Sequence, residues 1–140
     1  MTAITPTTPA TPGTQVSRSL ILFAHGARAA SWAAPFERLR GLTQQRMPDV
    51  PVSLAFLELM EPRLPDQVAA LAAQGVTEIT IVPVFLGQGG HLRRDLPLII
   101  EQLRVDLPQL SITVAGAVGE DPAVLNAMTD YCVGAFTKSA

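Results

Sequence analysis

Beyond Ser19 the chain alternates between two kinds of hydrophobic pattern. Short apolar-rich runs predict strands at LILFA (Leu20 to Ala24), VSLAFLEL (Val52 to Leu59), EITIVPVFL (Glu78 to Leu86) and SITVAG (Ser111 to Gly116). The first is continuous, the mark of a strand buried on both faces. Between the runs apolar residues recur at helical spacing. Trp32, Phe36, Leu39 and Leu42 follow a potential cap at Ser31 and stop before Pro48. Val68, Leu71 and Ala72 mark a helix over Leu64 to Ala73 closed by Gly75, Leu92 to Asp106 reads as a longer one, and Asp121 caps a last helix reaching about Phe136. Strand and helix thus alternate four times with no tight hairpin, which implies parallel strands joined by right-handed helical crossovers. The expected fold is α/β, a three-layer sandwich on a four-stranded parallel sheet of order 2-1-3-4. Pro83 breaks a local rule, because inside the third strand it removes a ladder donor.

The first residues carry none of this patterning. MTAITPTTPATPGTQVS (Met1 to Ser17) is rich in Thr and Pro, uncharged in its side chains and without an apolar stretch. It lacks the basic start and apolar core of a secretory signal and the arginines of a transit peptide. Residues 1–18 are expected to form a disordered tail and residues 19–140 one domain, a size a single core supports. Hydrophobic residues make up 48% of the 140, and formal net charge is −2, so there is ample core and no basic field to gather nucleic acid or anionic lipid. No apolar run approaches the ~20 residues of a membrane span. The single cysteine, Cys132, excludes a disulfide framework and a cysteine metal cluster, and fits a cytoplasmic setting.

In open parallel sheets, ligands bind beyond the carboxyl ends of the strands where the strand order reverses, here between strands one and three. The protein's two histidines fall at that place: His25 follows strand one, and His91 ends the glycine-rich loop GQGGH after strand three. They are 66 positions apart in sequence, yet the topology brings them to one edge of adjacent strands. Either histidine by itself would read as a cap or turn residue; the coincidence favours a site. Glu61, past strand two on the same edge, is otherwise a solvated loop carboxylate and becomes a third member beside two imidazoles. Two histidines and a carboxylate suit a borderline divalent cation such as Co²⁺, Ni²⁺, Fe²⁺ or Zn²⁺ and are too few to close a structural site. The glycines of the loop allow close backbone approach to a ligand, and Arg93 and Arg94 stand in the first helical turn, an unfavourable place for cations unless an anion is near.

The segments LILFAHGAR, FLELMEP and IVPVFLGQGGHLRRDLP, together with GEDPAVL (Gly119 to Leu125), resemble the small, single-domain CbiX-type sirohydrochlorin chelatases over about Leu20 to the C-terminus. The resemblance implies an ATP-independent lyase of the class II chelatase family that inserts a divalent metal into sirohydrochlorin, Co²⁺ first and Ni²⁺ or Fe²⁺ in relatives, in cobalamin or sirohaem-type tetrapyrrole biosynthesis. It implies no permanently bound cofactor, the metal being a substrate. Carried onto this chain, the metal-binding histidine and proton acceptor is His25 and the second metal histidine is His91. The substrate-associated glutamate is Glu61, and the substrate loop is Leu86, Gly87, Gln88, Gly89, Gly90 and His91. Ala27 stands where the family often has Ser, while the nearby Arg28 is retained as a donor for substrate carboxylates. Metal insertion expels two pyrrole protons and strips water from the cation. A neutral imidazole can accept a proton near neutrality, and a carboxylate can take the second.

Two other functions compete. A histidine phosphatase also places His-Gly after strand one, but its preceding arginine is replaced here by Ala24. A carrier that binds metal or tetrapyrrole without inserting is the alternative to catalysis. A four-stranded sheet with two edges offers a crevice walled mainly on one side, and larger relatives resemble two such domains in tandem, so a homodimer is expected.

Overall fold

In the computed structural model, residues 16–87 and 89–138 are described, with His91 described by its backbone only. The expectation for the tail therefore lies almost wholly outside the described residues. The strands are β1 (Arg18–Ala24), β2 (Val52–Phe56), β3 (Glu78–Pro83) and β4 (Ser111–Val114), all parallel in the order β2-β1-β3-β4. The helices are α1 (Ala34–Arg46), α2 (Leu64–Ala73), α3 (Gly90–Asp106) and α4 (Pro122–Lys138), with 3₁₀ turns at Ala30–Ala33 and Val118–Glu120. The predicted α/β architecture and strand order are observed.

The main core lies between the sheet and α2 and α3. Ile21 and Phe23 of β1, Ile79 and Ile81 of β3, Leu64 and Val68 of α2, and Leu96 and Ile100 of α3 are buried together there. Burying one such side chain stabilises the fold by about 1.5–3 kcal/mol, so this layer fixes the sheet. The α1 face is thinner: Ala24, Ala33 and Phe56 form its buried cluster, with Phe36, Leu54 and Met60 packed around it. α2 closes as Gly75 predicts, at φ +94°, with Gly75 N–H donating to Ala72 and Val76 N–H to Leu71. Asp121 caps α4 through Oδ2, which accepts from the N–H groups of Ala123 and Val124.

Four local expectations are corrected. β2 stops at Phe56 rather than Leu59, because the loop turns at Leu59 (φ +66°) and folds back so that Phe56 N–H donates to Pro62 C=O. β3 stops at Pro83, not Leu86; the missing donor falls at the strand's last residue, and Val84 N–H makes the next bond, to Phe23 C=O. β4 likewise ends at Val114 rather than Gly116. Ser31 caps no helix: Trp32 sits in a 3₁₀ turn and α1 begins only at Ala34, with Pro35 in its first turn. The stripe Trp32, Phe36, Leu39 and Leu42 is not core, since α1 has no buried residue. α4 has none either, and within the chain it packs mainly on the 3₁₀ turn just before it.

Candidate active site at the carboxyl edge of the sheet

His25 leaves the end of β1 at the point where β2 and β3 diverge. The β1–β2 ladder continues past both strand ends: Leu57 N–H donates to Ala24 C=O, and Glu58 N–H to His25 C=O. This extension sets Glu58 beside His25, with His25 Nε2 3.3 Å from Glu58 Oε1 and both side chains half exposed. The close approach requires Gly26. Its φ is +98°, and a Cβ there would collide with the carbonyl oxygen of Glu58. On its other side the imidazole meets the edge of Phe85, with ring centroids 6.1 Å apart at 87°. Phe85 in turn packs edge-on against buried Phe23, with centroids 5.6 Å apart, so the core fixes the ring that fixes the histidine.

Of the two carboxylates on the loop after β2, the structure brings Glu58 to His25 and not Glu61. Glu61 lines a separate cavity of about 530 Å³ along the β2 edge, with Glu37, Arg40, Ser53 and Gln67. The difference follows from where β2 ends. With the strand stopping at Phe56, Glu58 continues the ladder towards His25, while the turn at Leu59 carries Glu61 back along the strand edge. Gln88 lies outside the described residues. His91 is the second residue of α3, directly after the loop from β3, and its side chain also lies outside them. Leu86, Gly87, Gly89 and Gly90 are exposed, as is Arg28. Arg93 stands 3.7 Å from Glu120, and Arg94 Nε donates to Gly90 C=O, so both have partners within the chain.

His25 opens on a cavity of about 610 Å³ whose wall is otherwise uncharged among the described residues. Gly26, Ala27, Trp32 and Phe36 form the α1 side; Val84, Phe85, Leu86 and Gly87 form the β3 side, with Val118 between. Leu86 is held by the GEDP segment. Gly119 N–H donates to Phe85 C=O, and a Cβ on Gly119 would collide with the backbone of Leu86. Sequence reasoning missed Glu58 as the partner of His25, and missed Trp32, Phe36 and Val118 as cavity lining. Periodicity places Trp32 and Phe36 at helical spacing, which does not say that they face a cleft.

Among the described residues no group of three or more His, Cys, Asp or Glu side chains is gathered to hold a metal. His25 and Glu58 form a pair. An imidazole nitrogen and a carboxylate oxygen 3.3 Å apart could supply two ligands to a divalent cation and would leave most of its coordination open. Such a site suits a metal that is handed on rather than kept.

Comparison with known proteins shows the family. The CbiX family model matches residues 19–132. A sirohydrochlorin cobaltochelatase of Methanosarcina acetivorans is 29% identical over 112 residues, covering 75% of this chain and 86% of the relative. A second, from Methanothermobacter thermautotrophicus, is 32% identical over 81 residues, 58% of this chain and 56% of its own. Among solved structures, a cobalamin (vitamin B12) biosynthesis CbiX protein of Marinobacter aquaeolei superposes with a TM-score of 0.77 at 34% identity, over 86% of this chain and 98% of that one. The sirohydrochlorin chelatase SirB of Bacillus subtilis subspecies spizizenii, in complex with cobalt, gives a TM-score of 0.63 at 27% identity, over 82% of this chain and 51% of that one.

Proposed function

The chain belongs to the CbiX family, and on that premise we propose that it inserts a divalent metal, Co²⁺ first, into sirohydrochlorin without ATP, with Ni²⁺ or Fe²⁺ as further substrates. The observation that carries this reading is His25, paired with Glu58, opening on a cavity whose other described lining residues carry no charge. The macrocycle enters the cavity, and the cation is held at its edge by His25 and Glu58, joined by His91 from the start of α3. As the ring nitrogens displace the cation's water and then its protein ligands, the lone pairs freed on His25 and Glu58 each accept one of the two pyrrole protons expelled. Both protons then pass to solvent, since both side chains are half exposed. The loop Leu86 to His91 and Arg28 supply donors for substrate carboxylates, and Glu61, on the β2 edge, lies at the substrate's periphery. No cofactor is retained between turnovers. A sirohydrochlorin absorbance assay with Co²⁺, corrected for spontaneous insertion, tests the reading. Tight metal binding with no acceleration would instead identify a carrier.

The working unit we infer is a homodimer. α4 supports this: Leu125, Met128, Tyr131, Val133 and Phe136 are all exposed on it, and a shallow apolar concavity of about 500 Å³ lies along Val124, Ala127, Met128 and Tyr131. A 17-residue helix that buries none of its residues gains little of the packing from which most helical stability comes. Since α4 starts directly after the turn that holds the cavity's Val118, a second copy docked on α4 stands next to the cleft. Light scattering at assay concentration should give about twice 14.9 kDa; a fully active monomer would refute the dimer. Among the described residues no helix is long and apolar enough to cross a membrane, and we place the protein in the cytoplasm.

A further inference from the structure

We propose that Trp32 positions the tetrapyrrole, serving as the flat wall against which one face of the macrocycle rests while its centre meets His25. The assignment takes the chelatase reading of the cleft as its premise and adds a residue to it. Trp32 is the chain's sole tryptophan. It lies in the 3₁₀ turn Ala30–Ala33, held by its N–H donating to Ala29 C=O at 3.0 Å. The residue stays 43% exposed, although indole is among the most costly side chains to leave in water.

Packing does not account for the residue. The neighbour Ala33, not Trp32, enters the buried cluster on this face, and α1 behind it has no fully buried residue, Phe36 being partly buried against that cluster. What Trp32 has is a second ring and a cavity. Phe36 lies 5.6 Å away at 49°, and both rings line the space that His25 opens on. Across that space stand Phe85 and Leu86. A slot with aromatic rings on one side, an imidazole at one edge and no other charged side chain among its described lining residues fits a broad, flat, conjugated ligand. Such a ligand keeps its anionic groups at the rim. An indole face offers dispersion and quadrupole contact over a large area and few rotamers to freeze, so it orients a planar ligand where an aliphatic residue would only surround it.

The test compares Trp32→Phe and Trp32→Leu with the unaltered full chain. Affinity for metal-free sirohydrochlorin is read from the tetrapyrrole's own visible absorbance, and KM and kcat for Co²⁺ insertion are measured in parallel. Trp32→Leu should raise Kd and KM for sirohydrochlorin about tenfold, the scale of one aromatic stacking contact. Trp32→Phe should restore most of that affinity, and kcat should fall less than KM rises in both. A residue that merely supports the fold would shift the unfolding midpoint and affect both variants alike. Wild-type KM in a folded Trp32→Leu variant, or a Trp32→Phe variant no better than Trp32→Leu, would overturn the assignment while leaving the chelatase reading standing. An unaltered protein that neither binds nor metallates sirohydrochlorin would overturn both.

Discussion

Gly26→Ala probes the joint between fold and site. Two penalties add at this position. A Cβ in the left-handed region costs about 1–2 kcal/mol for any L-residue, and Gly26 has φ +98°. The same Cβ would also collide with the carbonyl of Glu58, and such overpacking costs about 1–3 kcal/mol more. The expected loss is therefore about 2–5 kcal/mol, and at about 4 °C per kcal/mol for a domain of this size the midpoint falls by ~8–20 °C. Gly75→Ala separates the two effects. Gly75 has φ +94° but nothing within 4 Å of an added Cβ, so only the backbone penalty applies. Its midpoint should fall by ~4–8 °C. Thermal and urea unfolding of both variants give the difference directly. Because relief of the clash pushes Glu58 away from His25, Gly26→Ala should also slow insertion well below its midpoint, and Gly75→Ala should not. Equal destabilisation of the two variants, with insertion unaffected in both, would refute the close approach that sets Glu58 beside His25.

Three further outcomes are expected. Glu58→Gln keeps the shape of the side chain and removes its charge, so insertion should slow at least ~100-fold, the lower range for a proton-transfer group, and more than in Glu61→Gln; the reverse order in the absorbance assay would return the proton-accepting role to Glu61. His91→Ala should weaken Co²⁺ binding by at least about tenfold, and calorimetry showing wild-type affinity would remove His91 from the metal site. Removing residues 1–15 should leave the midpoint and rate unchanged. Removing Ser17 as well should lower the midpoint, since Ser17 C=O accepts from the N–H groups of Thr77 and Glu78 at the start of β3.

The topology is legible in the sequence because each strand is a short apolar-rich run and each crossover contains one helix. Right-handed connections then leave few arrangements, and His25 at the end of β1 follows at once. Strand ends are less legible. Val52 to Leu59 is apolar to its last residue but for Ser53 and Glu58, and hydropathy alone does not reveal that the backbone turns at Leu59. Two or three residues there decide which carboxylate faces His25. Trp32 and Phe36 show the other limit, since the spacing that buries a helix face against a core is the same spacing that lines a cleft. The signals that could have separated these cases are glycines. Gly26 follows His25 and Gly119 opens the GEDP segment, and each marks a place where another stretch of backbone passes too close for a side chain.

The most direct measurement of the central claim is the initial rate of Co²⁺ insertion into sirohydrochlorin by the unaltered chain and by His25→Ala, each after subtraction of the spontaneous rate. His25 is half exposed beyond the end of a buried strand, so its loss should leave the unfolding midpoint nearly unchanged. The expected result is clear acceleration by the unaltered chain and none by the folded variant. A folded His25→Ala protein that inserts cobalt at the unaltered rate would contradict the account.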